Sequence, residues 1–171
     1  MNRATSTGDL GHPGNLGNLV LAMVVLLGSV AATAQSRPDF SGTWRLDPSR
    51  SESALQGEAI GPITLHVTQT PTEIQIETVT PRTRTVETHS LSGRESQLAN
   101  GAGRARWFGE LLVVDTVRDV RGVSVTTQQT RRMTADGTEM HVDNILEVQH
   151  GYTLAKTRNY GAGRDVYVRV R

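Results

Sequence analysis

The sequence contains no cysteine among its 171 residues. It therefore forms no disulfide bond, offers no thiolate for catalysis or metal binding, and has no cysteine to carry a lipid anchor. Aromatic residues make up only 4% of the chain, and the formal net charge is +1. A nucleic-acid groove needs aromatic rings interleaved with basic residues. We therefore expect no nucleic-acid partner.

Residues 1–34 differ from the rest of the chain. A polar stretch with the basic Arg3 leads into an apolar run from Leu19 to Leu27, and Ala32-Thr33-Ala34 follows as a small-x-small pattern. This order is typical of a secretory signal peptide, and the apolar run is shorter than the roughly 20 residues that span a bilayer. We predict a periplasmic or secreted protein without stable membrane insertion after signal cleavage. An uncleaved anchor or a downstream start is the alternative.

Residues 35–171 are enough for one domain with its own core. Ile63, Leu65 and Val67 alternate with polar residues, and Ile74 and Ile76 do the same after a turn. Alternation with a period of two, bounded by Gly, Pro and Asp, indicates half-buried strands, and no long helical period is present. Eight to nine such strands can be counted. They predict an all-β, antiparallel up-and-down barrel, because closure removes exposed sheet edges.

Two connections stand out between the strands. Asp136-Gly137 is a strong hairpin signal and predicts a type I′ turn. The polar stretch from Asp47 to Gly61 contains Ser49-Arg50-Ser51-Glu52, which predicts one short capped helix over an end of the barrel.

Three stretches of the mature chain carry a family resemblance. They are Asp39 to Ser51, which opens Asp-Phe-Ser-Gly-Thr-Trp-Arg-Leu, then Ile63 to Thr70, and Ala105 to Val114. Together they resemble bacterial exported lipocalin-like proteins of uncharacterised function. The resemblance extends in outline from Pro38 to Arg171.

The resemblance implies structural roles at the narrow end of the barrel. Trp44 on the first strand would close that end, and an arginine of the last strand would stack across its ring. Arg169 suits this role better than the terminal Arg171, and Gly42 would let the first strand bend. A guanidinium over an indole contributes about 0.5 to 2 kcal/mol.

The sequence offers little that indicates catalysis or a metal site. It has no Gly-x-Ser-x-Gly elbow and no His-Glu-x-x-His. Glu139, His141 and Asp143 share one strand face, but alternate side chains on a strand stand roughly 7 Å apart, so a solvated outer face is favoured over a metal site. We expect a monomer with no cofactor and no metal.

The leading hypothesis is a non-catalytic barrel that binds a small apolar or amphipathic molecule. Apolar positions of the strands would line its interior, with Trp107 near one mouth: Leu65, Val67, Ile74, Ile76, Val86, Trp107, Leu112, Val114, Val125, Met140 and Val142.

Two alternatives remain open. A filled barrel would be an envelope interaction module without a ligand, since about eight strands enclose a space that side chains alone can fill. A small-molecule enzyme would require a buried polar cluster inside the barrel. The inward polar positions that the alternation indicates are Thr78, Thr88, Asn144 and Thr127, and none of them is a strong base.

Overall fold

The computed structural model describes residues 37–54, 61–150 and 158–171, and these contain ten β-strands. The predicted signal peptide lies outside the described residues. The strands are β1 (Gly42–Leu46), β2 (Thr64–Gln69), β3 (Glu73–Val79), β4 (Arg84–Ser90), β5 (Glu95–Leu98), β6 (Gly101–Phe108), β7 (Leu111–Val120), β8 (Val123–Met133), β9 (Glu139–His150) and β10 (Arg158–Arg169).

All ten strands belong to one antiparallel sheet, in the order β4-β3-β2-β1-β10-β9-β8-β7-β6-β5. The first and last strands pair with each other, and every other ladder joins strands that are consecutive in sequence. The sheet thus curves into a nearly closed up-and-down barrel whose free edges are β4 and β5. This confirms the all-β antiparallel prediction. The strand count of eight to nine was wrong, because the short β5 has a single aliphatic residue, Leu98, and gives no alternating pattern.

The hairpin predicted at Asp136-Gly137 is present between β8 and β9, but the prediction of a type I′ turn was wrong. The connection is five residues long, and only Gly137 of the pair has a positive φ, at 67°. The Asp136 carboxylate accepts hydrogen bonds from the Thr134 hydroxyl at 2.6 Å and the Thr138 amide at 3.1 Å. These bonds lower the pKa of Asp136 to about 2. The connection is therefore a loop held by the Asp136 carboxylate and not the predicted two-residue type I′ turn.

The segment after β1 turns back against β10. A single 3-10 helix at Pro48–Arg50, capped by the Asp47 carboxylate, stands where a short helix was predicted. The backbone of Glu52 then bridges to Arg164. A Cβ on Gly161 or Gly163 would lie about 2 Å from carbonyl oxygens of this segment, at 2.0 and 2.2 Å. Only glycine permits this approach, which lays residues 52–54 against β10 at one end of the barrel.

The other end of the barrel is filled by apolar side chains. Phe40, Trp44, Ile74, Leu112 and Met140 have no exposed surface. The Trp44 indole N–H donates to the Phe40 carbonyl at 2.8 Å, so the buried ring leaves no polar atom unsatisfied. This end therefore holds the core of the protein.

The contact that the resemblance implied closes this filled end. The Arg169 guanidinium lies over the Trp44 ring at 4.2 Å and donates to the Ser41 carbonyl at 2.6 Å and the Gly137 carbonyl at 2.8 Å. Gly42 has a φ of 134°, and a Cβ there would lie 2.7 Å from the guanidinium. The glycine is thus needed both for the backbone conformation and for the space that Arg169 occupies.

Val86 was predicted to face the interior and does not, since 55% of its surface is exposed. The ladder between β3 and β4 shows why. Glu87 pairs directly with Ile76, and His89 with Ile74, while Val86 pairs with Glu77. Directly opposed residues point to the same face of a sheet. Because Ile74 and Ile76 are buried, Glu87 and His89 face inward and Val86 faces outward.

Aspartate substitutions on neighbouring residues of β3 will test this assignment of faces. Ile74→Asp would bury a charge without a partner and is expected to lower the free energy of unfolding by more than about 3 kcal/mol. Gln75→Asp, one residue along on the exposed face, is the matched control and is expected to change it by less than about 0.5 kcal/mol. Urea unfolding measures both. Equal effects would show that the two faces are misassigned.

Candidate interior binding site

The half of the barrel away from Trp44 encloses a cavity of about 270 Å³. Its wall is aliphatic on one side and rich in hydroxyl, amide and charged groups elsewhere. The lining residues are Ile63, Leu65, Ile76, Thr78, Thr85, Glu87, His89, Val114, Thr116, Arg118, Thr127, Gln129, Arg131, Val142, Asp165 and Tyr167.

Strand alternation explains how charged groups reach this interior. On β7, Leu112 and Val114 are buried in the core, and Thr116 and Arg118 continue the same face two and four residues further along. The inner face of β7 thus changes from apolar to polar along the strand. The barrel is consequently filled at one end and polar at the other.

A chain of hydrogen bonds crosses the cavity wall from β8 to β10. Arg131 Nη2 donates to Gln129 Oε1 at 2.6 Å, Gln129 Nε2 donates to Asn144 Oδ1 at 3.0 Å, and Asn144 Nδ2 donates to Asp165 Oδ2 at 2.9 Å. The guanidinium can only donate, so Gln129 must accept with its oxygen, and this fixes the orientation of both amides along the chain. The chain holds Arg131 and Asp165 in place on the same cavity.

Arg131 is the most unusual group in this site. Only 5% of its surface is exposed, and its Nε and Nη1 atoms have no hydrogen-bond partner among the described residues. Burial lowers the pKa of its guanidinium from the ordinary value. A buried charge with unsatisfied donors is costly unless something else supplies the acceptors.

A second charged group lies on the opposite wall. Arg118 Nη2 donates to Glu87 Oε1 at 2.5 Å, which joins β7 to β4 across the unpaired edge of the sheet. His89, with 1% of its surface exposed, places Nε2 3.6 Å from Glu87 Oε2. The interaction with His89, followed by the charge of Arg118, lowers the pKa of Glu87 against the opposing effect of burial. Glu87 is thus an ionised, paired carboxylate.

Asp165 and Tyr167 behave in the opposite way. Burial raises the pKa of Asp165 from its ordinary value, although the hydrogen bond from Asn144 and the charge of Arg131 partly offset it. Burial also raises the pKa of the Tyr167 hydroxyl, and the negative charge of Asp165 adds to that shift. The tyrosine therefore remains a neutral hydroxyl at physiological pH.

The residues predicted to line the interior are divided between the two halves of the barrel. Leu65, Ile76, Val114 and Val142 line the cavity, and Val67, Ile74, Leu112 and Met140 lie in the filled core. Val125 pairs with Arg118 on the inner face and is half-buried outside the cavity lining. Trp107 packs against Phe40 at the filled end, with ring centroids 6.1 Å apart, and lines a separate recess there.

Most of the polar residues of the interior were not predicted from the sequence. Thr78 and Thr127 do line the cavity and Asn144 joins the hydrogen-bond chain, but Thr88 is exposed on the outer face. The missed groups are Thr85, Glu87, His89, Thr116, Arg118, Gln129, Arg131, Asp165 and Tyr167. Those on β7, β8 and β10 share one signal, which is a spacing of two or four residues from an inward residue that was identified. The three on β4 lack that signal, because the residues assigned inward there were Val86 and Thr88, which are exposed.

The side chains considered for a metal site have other partners. Glu139 accepts from Arg50 at 2.9 Å and lies 3.2 Å from His141 Nε2, while Asp143 pairs with Arg164. Within the described ranges, no group of three His, Asp or Glu side chains has the arrangement of a metal site. None of the described residues forms a helix that is long and apolar enough to span a membrane.

Comparison with known proteins identifies the fold. No protein-family model matches the chain, and no curated protein sequence matches it significantly. The fluorescent protein UnaG matches with a TM-score of 0.51 at 17% identity, over 77% of this chain and 97% of its own. A mutant of the fatty acid transporter REP1-NXSQ matches with a TM-score of 0.51 at 16% identity, over 76% of this chain and 97% of its own. The chain thus has the same fold as these two proteins, an antiparallel β-barrel.

Proposed function

We propose that this protein is an exported, non-catalytic barrel that binds a small amphipathic molecule through an acidic group. The observation that carries the proposal is Arg131, whose buried Nε and Nη1 donors have no partner among the described residues. An acid would supply an acceptor and the negative charge that this guanidinium needs. The aliphatic side chains of Leu65, Val114 and Val142 on the same cavity would take its apolar part.

The distribution of filled and open space supports a ligand over a purely structural barrel. The core packs tightly around Trp44 and Met140, while the polar half keeps a cavity of about 270 Å³. A filled barrel that acts only as an interaction module would not require a buried guanidinium with unsatisfied hydrogen-bond donors. The match to a fatty acid transporter gives further support, because that protein has the same fold.

An enzyme that uses acid–base catalysis is the second candidate function. The cavity contains the buried polar cluster that an enzyme would require, and the pKa of Glu87 is lowered while that of Asp165 is raised. Carboxyl groups with pKa values pushed apart are typical of acid–base pairs. Binding is preferred, since Glu87 is already held by Arg118 and His89.

The test is mass spectrometry of an organic extract from the full chain purified natively out of the cell envelope or medium, beside a mock purification. We expect one acidic amphiphile enriched near one per chain. Returning it to the empty protein and recovering it with unchanged mass would support binding, whereas a changed mass would support the enzyme. An empty extract from folded protein that also takes up no added acid would overturn the proposal in favour of the filled-barrel module.

A further inference from the structure

The cavity has room for a compact molecule only. Its volume of about 270 Å³ is slightly below the range of about 300 to 1,000 Å³ for pockets that enclose drug-sized molecules. At roughly 30 Å³ for each water-sized group, the cavity holds about nine such groups. When the carboxylate is included, this corresponds to an acid of roughly six to eight carbons.

The core of the barrel closes the end of the cavity that faces Trp44. Four core residues lie two positions along their strands from residues that line the cavity, on the same inner face. All four are buried, and three of them have no exposed surface. A longer ligand could enter the core only by displacing these side chains. We call them the floor of the cavity: Val67, Ile74, Leu112 and Met140.

A backbone segment limits the cavity on the side of β10. Gly161 and Gly163 continue the inner face of that strand from Asp165, which lines the cavity. A Cβ on these glycines would lie 2.0 and 2.2 Å from carbonyl oxygens of residues 52–54. Glu52 exchanges two backbone hydrogen bonds with β10, of 2.7 and 2.9 Å. The segment therefore occupies the space into which a longer ligand would extend along β10.

The most exposed part of the cavity wall is polar. Thr85 is exposed, and the side chain of Arg118, which is paired with Glu87, is 28% exposed. An alkyl chain that left the cavity here would meet hydroxyl and charged groups and water. Methylene groups outside the cavity would bury little apolar surface and would add little to the affinity.

We infer that the ligand is a compact acid of roughly six to eight carbons and not a long-chain fatty acid. This inference rests on the proposed function. The apolar part of the acid lies within the cavity, between the floor and residues 52–54. The floor then determines the longest acid that the cavity encloses. Leu112 is the floor residue that pairs directly with Arg131, so it lies beside a residue of the cavity wall.

A titration of the full chain with straight-chain acids, followed by NMR, tests the inference. The probes are butanoate, octanoate and dodecanoate, each below its critical micelle concentration. A buried methylene group raises affinity by up to about fourfold. We therefore expect octanoate to bind at least about tenfold tighter than butanoate, and dodecanoate to bind within about threefold of octanoate. Enclosure of the longer chain would instead add more than about a hundredfold.

The possible failures are distinguishable. If affinity continues to rise steeply from octanoate to dodecanoate, the inference is overturned while the proposed function stands. Equal affinities for butanoate and octanoate would also overturn it, because the apolar part would then not be enclosed. If none of the three acids binds, the proposed function itself is contradicted and the inference falls with it.

Leu112→Ala tests the floor in the same titration. The variant removes the isopropyl group of Leu112 and deepens the cavity, so we expect dodecanoate to gain about tenfold relative to octanoate. Leu111→Ala, one residue along on the outer face of β7, is the matched control and is expected to keep the wild-type ratio. Should Leu112→Ala fail to fold, the wild-type series decides the question alone. A wild-type ratio in a folded Leu112→Ala protein would contradict the role of Leu112 in limiting ligand length.

Discussion

Arg131→Met is expected to lower the affinity for the acidic ligand about a hundredfold. The loss of affinity follows from removing the charge and the hydrogen-bond donors of a guanidinium that lines the cavity. The free energy of unfolding should fall as well, by about 1 to 3 kcal/mol, because Gln129 Oε1 loses its donor and the buried Asp165 loses the nearby positive charge.

The neighbouring residue provides the control for this experiment. Arg132 is exposed on the same strand, so Arg132→Met removes the same charge from the outer face. Its affinity for the acid should equal that of the wild type. Calorimetric titration gives the affinities and urea unfolding gives the stabilities. An Arg131→Met protein that binds the acid as well as the Arg132→Met protein would rule out the guanidinium as the anion site.

The apolar half of the interior could be predicted from the sequence because its strands carry an unambiguous signal. Ile74 and Ile76 alternate with Glu73, Gln75 and Glu77, and this pattern permits one burial assignment only. On β4 the lone aliphatic residue, Val86, pointed to the wrong face. The face of a strand is set by its pairing register as well as by its own residues, and that register comes from the neighbouring strand.

The polar half could not be predicted by a rule that places apolar residues inside. Asp165 and Tyr167 share the face of Arg169, which the family resemblance had already assigned to the inside of the barrel. The same reasoning would have extended the inner face of β7 from Val114 to Arg118. What the sequence cannot supply is the register between these consecutive strands, which sets the distances between the groups that the hydrogen bonds join.

The two halves of the barrel differ in what their side chains contribute. The filled half contains the fully buried aromatic and aliphatic side chains around Trp44, whereas the polar half keeps charged groups on the wall of a cavity. Substitutions in the filled half away from the floor should therefore change stability with little effect on ligand preference. Substitutions in the cavity should change ligand binding, and they should also lower stability where they leave a buried polar partner without its hydrogen bond.

Trp44→Ala is expected to have the largest effect on stability of any truncation to alanine in the filled half. Removing a fully buried tryptophan leaves a cavity and costs about 3 to 5 kcal/mol. A domain of this size has a total stability of about 5 to 15 kcal/mol, so the variant is expected to be severely destabilised. Tyr160→Ala, at an aromatic residue that is 67% exposed, is the control and should change stability by less than about 0.5 kcal/mol.

A double-mutant cycle with Arg169→Met separates the stacking of Arg169 on Trp44 from the burial of the ring. Each variant alone loses the contact at 4.2 Å, so the coupling between them should be about 0.5 to 2 kcal/mol. Urea unfolding of the four proteins gives this value, with the less destructive Trp44→Leu in place of Trp44→Ala if the alanine variant does not fold. A coupling near zero would show that Arg169 stabilises the barrel only through its hydrogen bonds to Ser41 and Gly137. Unchanged stability in Trp44→Ala would contradict the role of Trp44 in closing the filled end of the barrel.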